Sequence, residues 1–129
     1  MQFNIVITGG LFDAQAGYSA WQFCAAALAK GHEISQVFFY QNAVTIGTQL
    51  AEPLSDEFDA PTQWAELSKK HSIDLVVCIS AAERRGLIGA EQAEDLGKLS
   101  TNLHPSFSIQ GLGALFEASL VSDRTITFK

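Results

Sequence analysis

The chain has 129 residues, 47% of them apolar and 17% charged, with 8 Lys plus Arg against 14 Asp plus Glu for a formal net charge of −6. That length predicts a single domain over 1–129, and that apolar content fills a core, which excludes a disordered or fibrous chain. The acidic balance, with no run of Lys and Arg longer than two, opposes direct gripping of a duplex or tRNA through phosphates.

The longest apolar stretch, Phe23 to Ala29, falls far short of the ~20 residues that cross a bilayer. No positive patch followed by an apolar region opens the chain, and 2 Cys make no disulfide framework. The expectation is a cytoplasmic protein with no membrane attachment.

Phe3-Asn4-Ile5-Val6-Ile7, closed by Thr8-Gly9-Gly10, predicts a buried strand and a loop. From Gly17 to Lys30 the spacing turns helical. Tyr18, Trp21, Ala25 and Leu28 form one apolar stripe, and Ala20, Phe23, Cys24 and Ala27 a second, with Gly31 at the expected cap. A helix apolar on most sides is covered on most sides, by its own sheet or by another subunit. Ile34 to Tyr40 has too few polar breaks for a solvated strand.

Asn42 to Leu50 is a weaker helical segment. The acidic, Pro-interrupted stretch from Glu52 to Asp59 predicts a loop. A helix follows from Pro61 to His71, with Pro in its first turn and Lys69, Lys70 and His71 at the negative end of its dipole. Ile73 to Ile79 predicts a buried third strand. The rest predicts a helix over Ala90–Leu96, a strand near Phe107–Ile109, a helix over Leu112–Leu120 and a last strand over Arg124–Phe128. Such alternation implies right-handed crossovers and an α/β fold with a mostly parallel five-stranded sheet.

In an open parallel sheet, ligands gather at the carboxyl ends of strands. Only the third strand carries a strong nucleophile there. Cys78 ends it, followed by Ile79-Ser80-Ala81-Ala82-Glu83-Arg84-Arg85-Gly86. Ser80 suits an N-cap, and Ala81 to Arg85 a short helical turn ended by Gly86. A thiol beside free backbone N–H groups and near Arg84 and Arg85 ionises more readily and can hold a persulfide anion. The alternative is that Cys78 is a small core hydrophobe, as most strand-end cysteines are. Cys24, on an apolar helix without polar neighbours, reads as packing.

Metal-ligand spacing is absent: His32, His71 and His104 stand apart. Neither a G-x-G-x-x-G nor a G-x-x-x-x-G-K-[ST] loop occurs, and no G-x-S-x-G elbow. No cofactor or metal is expected. The cluster Glu52, Asp56, Glu57 and Asp59 lacks EF-hand spacing and reads as a solvated loop or a surface for a basic partner. Gly111-Leu112-Gly113 opens a helix and serves either an anion or a tight turn.

Six segments in collinear order resemble the DsrE/DsrF-like sulfur-relay family. They are F-N-I-V-I-T-G from Phe3, G-H-E-I-S-Q-V-F-F-Y from Gly31, S-D-E-F-D from Ser55, C-I-S-A-A-E-R-R-G from Cys78, S-T-N-L from Ser100 and G-L-G-A-L-F-E-A-S-L from Gly111. The resemblance implies a flavodoxin-like (DsrE-like) three-layer fold with helices on both sheet faces. It also implies that Cys78 accepts sulfur as a persulfide, with Ser80, Arg84 and Arg85 as supporting candidates. It further implies a heterohexamer with TusB- and TusC-type subunits, a TusA-type sulfur donor and a TusE-type acceptor that serves tRNA wobble-uridine thiolation. Two other readings stand beside it: a non-catalytic scaffold subunit, and a flavin- or nucleotide-binding protein, weakened by the missing phosphate loop.

Overall fold

The computed structural model describes residues 1–129. In chain order the elements are β1 (Gln2–Ile7), α1 (Ala16–Ala29), β2 (Glu33–Phe39), a 3-10 segment (Gln41–Gly47), α2 (Ala60–His71) and β3 (Asp74–Cys78). There follow α3 (Ile79–Arg84), α4 (Ala90–Leu96), β4 (Phe107–Gln110), α5 (Leu112–Val121) and β5 (Arg124–Phe128). All four strand pairings are parallel, in the order β4-β3-β2-β1-β5. The architecture is the expected α/β one, with a strand order of its own rather than the 2-1-3-4-5 of flavodoxin.

Side chains alternate across each strand, and this sorts the residues between two unlike faces. Val37 and Phe39 of β2 point to the face that carries α1 and α2, where the Phe39 ring meets Trp64 edge-on at 5.6 Å. Val77 and Phe107 share that face. The 3-10 segment lies so close there that a Cβ on Gly47 would meet Val77 Cγ2 at 3.0 Å and Leu87 Cδ2 at 3.4 Å. Gln36 and Phe38 point the other way. On that side the Gln36 side-chain amide donates to the Ala114 carbonyl of α5 at 3.1 Å. One face is thus roofed by α1, α2, the 3-10 segment and the α3–α4 stretch, and the opposite face by α5 alone.

Two expectations are corrected, and one left open is decided. The weak helix expected over Asn42–Leu50 is a 3-10 segment that stops at Gly47. Val44, Thr45 and Ile46 are β-branched, so their stiff side chains crowd an α-turn. Ser80 does not cap α3. The strand runs directly into the helix, so Cys78 itself occupies the N-cap with extended backbone (φ −65, ψ 125). The second apolar stripe of α1 is covered within the chain, the first of the two alternatives. Ala20, Cys24 and Ala27 are buried, while Trp21 donates its indole N–H to the Gln63 carbonyl of α2 at 3.1 Å and packs on Phe58. Phe23 is held between Phe3 and Phe128.

Candidate functional site

The chain leaves the carboxyl ends of β3 and β4 in opposite directions. β3 continues into α3 on the crowded face, whereas β4 continues through Gly111 into α5 on the sparse one. Where neighbouring connections part in this way, a parallel sheet opens a crevice, the usual place for ligands and reactive groups. Cys78 sits at that place. It is the register partner of Gln110, so α3 starts immediately after the cysteine and α5 two residues after its partner. By alternation Cys78 shares a face with Val76, the α5 side of the sheet.

Cys78 Sγ has one side-chain partner, Ser80 Oγ at 3.7 Å. A residue two positions into a helix cannot cap it, but its hydroxyl can reach back to the strand end, and here it does. Ser80 is exposed while Cys78 is only 1% exposed. The covered sulfur is what the packed alternative for a strand-end cysteine expected. The residues beyond its register partner are open: Gln110, Gly111, Leu112 and Gly113 are all exposed, and nothing stands within 4 Å of a Cβ built on either glycine.

The two arginines sit elsewhere. Seven residues of helical rise place Arg85 ~10 Å along α3 from Cys78. Its Nε donates to Asn42 Oδ1 at 3.0 Å and its Nη1 to the Ala81 carbonyl at 3.1 Å. It lines a cleft of about 530 Å³ together with Gly10, Asp13, Asn42, Thr45 and Asn102, a cleft that Cys78 does not line. Arg84 is exposed in the last turn of α3. Of the three supporting candidates, the structure brings only Ser80 to the sulfur.

Cys24 behaves as the packing residue it was read to be. It is fully buried, and burial pushes its thiol from 9.0 up to about 12. The histidines lie apart: the N-terminal amine meets His32 Nδ1 at 3.0 Å, and His104 Nδ1 accepts from the Ser106 backbone N–H at 3.1 Å. His71 ends α2.

The profile of the DsrE/DsrF-like family matches residues 1–128 of the chain. The chain belongs to the DsrE/DsrF-like family. This membership associates it with sulfur relay. Among solved structures, this DsrE/DsrF-like chain is similar to the YchN protein of E. coli, with a TM-score of 0.74 and 18% sequence identity over 99% of this chain and 100% of that one. At that identity the likeness shows a shared fold.

Sequence reasoning missed two features of this DsrE/DsrF-like domain. The first is the bare outer face of α5, whose signal was available: Leu112, Leu115, Phe116, Leu120 and Val121 make a helix apolar on all sides. The second is the bracing of the Arg85 cleft by Asn42 and Asn102. No local pattern announces those contacts, because the partners lie 43 and 16 residues away.

Proposed function

We propose that this DsrE/DsrF-like chain is a TusD-type sulfurtransferase subunit that carries sulfur as a persulfide on Cys78. The carrying observation is the placement of a cysteine at the N-cap of α3, in the crevice where the β3 and β4 connections diverge. The Ser80 hydroxyl lies 3.7 Å from the sulfur, and no cap hydrogen bond ties the Cys78 side chain to α3. In the first step the Cys78 thiolate attacks the outer sulfur of a donor persulfide R–S–SH. The donor S–S bond breaks, R–S⁻ leaves, and Cys78 holds the outer sulfur with its proton. In the second step an acceptor thiolate attacks that sulfur and the Cys78 thiolate is restored. Both steps are exchanges with no net oxidation, as in thiol–disulfide exchange.

The donor is a TusA-type carrier and the acceptor a TusE-type protein, with the sulfur destined for tRNA 2-thiouridine. The apolar outer face of α5 supports association with TusB- and TusC-type subunits. No helix is long and apolar enough to cross a membrane, consistent with work in the cytoplasm. Because Cys78 is covered, transfer requires the residues over it to part.

Incubation with a persulfide donor followed by intact-mass measurement tests the reading. The expected result is a gain of one sulfur atom, lost on reduction and absent in Cys78→Ser. Wild-type protein that gains none, or a Ser variant that gains as much, would overturn it. The 1% exposure of Cys78 favours a second reading, a scaffold subunit with Cys78 merely packed. In that case a reconstituted relay runs undiminished with Cys78→Ser.

A further inference from the structure

The cleft beside Arg85 is lined by charged residues that the sulfur chemistry does not use. Its walls are cross-braced. The Thr45 hydroxyl accepts from the Leu11 backbone N–H at 3.1 Å and donates to the Asn42 carbonyl at 2.7 Å. Asn102 accepts from the Ile88 N–H at 2.7 Å and donates to the Gly86 carbonyl at 2.8 Å. Arg85, tied at Nε and at one Nη1 hydrogen, keeps three of its five N–H donors free. Asp13 lines the same cleft, turned in against Gly10, where any Cβ would overlap its carboxylate. Arg85 and Asp13 both line the cleft, and no ion pair joins them.

Two opposite charges lining one cleft match a ligand that carries both signs. We propose that this cleft binds a zwitterionic α-amino acid, its carboxylate on the Arg85 guanidinium and its ammonium toward the Asp13 carboxylate. The planar guanidinium suits a carboxylate, and such charge-assisted bonds are the strong ones. Leu11, Phe12 and Leu87 supply the apolar part of the lining, which fits an aliphatic side chain of medium length. A volume of about 530 Å³ lies within the range of small-molecule sites.

The site is independent of the Cys78 reading, and its test uses no thiol. The full chain is titrated with L-leucine, N-acetyl-L-leucine and L-leucinol while backbone amide shifts are followed by NMR, and the remaining common amino acids are screened in the same way. The expected result is saturable shifts at Leu11, Thr45 and Arg85 with L-leucine or another neutral amino acid. Binding should weaken at least about tenfold when either the ammonium is capped or the carboxylate removed. Arg85→Gln, Asp13→Asn and Gly10→Ala should each weaken it by a similar factor, with far-UV circular dichroism unchanged. Because Gly10→Ala acts by displacing the Asp13 carboxylate, it checks the site without touching Arg85. Absence of saturable shifts with every amino acid, equal binding of the capped analogues, or binding that survives both charge-removing variants would overturn the proposal.

Discussion

Both cysteines of this small domain are buried, but only Cys78 has a polar side chain beside its sulfur, and residue-scale chemistry follows from that difference. Cys24 faces the sheet from the middle of α1, surrounded by apolar atoms, and its thiol is held up to about 12 by burial. Cys78 ends a strand beside a hydroxyl and at a helix start. Because the proposed transfer needs the residues over Cys78 to part, alkylation with iodoacetamide near about pH 8 is expected to modify Cys78 before Cys24. Peptide mapping by mass spectrometry checks this, and modification of Cys24 first would contradict it.

Cys24 also sets a pH dependence. The folded chain keeps this thiol protonated up to about 12, whereas the unfolded chain releases the proton near 9.0. Between those values the native state binds more protons, so stability falls as pH rises through that window, by at most about 1.4 kcal/mol per pH unit. Denaturant titrations at pH values on both sides of 9 should show a steeper fall of stability with rising pH in wild type than in Cys24→Ala.

At the scale of elements, the stretch from α3 to α4 hangs on Asn102. Its side chain bonds the Ile88 N–H and the Gly86 carbonyl, and its backbone N–H donates to the Ile88 carbonyl at 2.9 Å. Asn102→Ala removes both side-chain bonds at about 1 kcal/mol each. The expected outcome is a loss of about 2 kcal/mol and faster amide exchange at Ile88, with exchange in β1 and β2 affected only through global stability. The start of α2 offers a simpler case. Asp59 accepts from the Thr62 N–H at 3.3 Å as N-cap, and Asp59→Ala should cost about 1 kcal/mol in a denaturation curve.

At the scale of the whole molecule, the two faces of the sheet are unequally covered. α5 turns its small residues inward, with Ala118 buried and Ala114 partly so, over a floor that includes Asn4 and Gln36. It turns Leu112, Phe116, Leu120 and Val121 outward, each at least half exposed. An apolar patch of that kind on a helix marks a contact surface, here proposed for related subunits. Phe116→Glu, 64% exposed in the single chain, is expected to leave the fold intact and to prevent assembly. Size-exclusion chromatography with the companion subunits checks it, and an unchanged complex would contradict it.

Much of this DsrE/DsrF-like domain was legible in its residues alone. Every strand and all the longer helices were predicted within one or two residues, because periodicity, caps and turn residues are local signals that agreed with the final fold. Cys78 stood out because a strand run ends on it, and Cys24 read as core because its neighbours in sequence are apolar. Tertiary structure alone decided what depends on distant segments meeting. It chose the strand order that puts the Cys78 crevice between β3 and β4, and it buried the sulfur. It also swung Arg85 away to Asn42, and covered α1 while leaving α5 bare. Those outcomes turn on contacts between residues tens of positions apart, and no local pattern of hydrophobicity or propensity encodes which distant surfaces will meet.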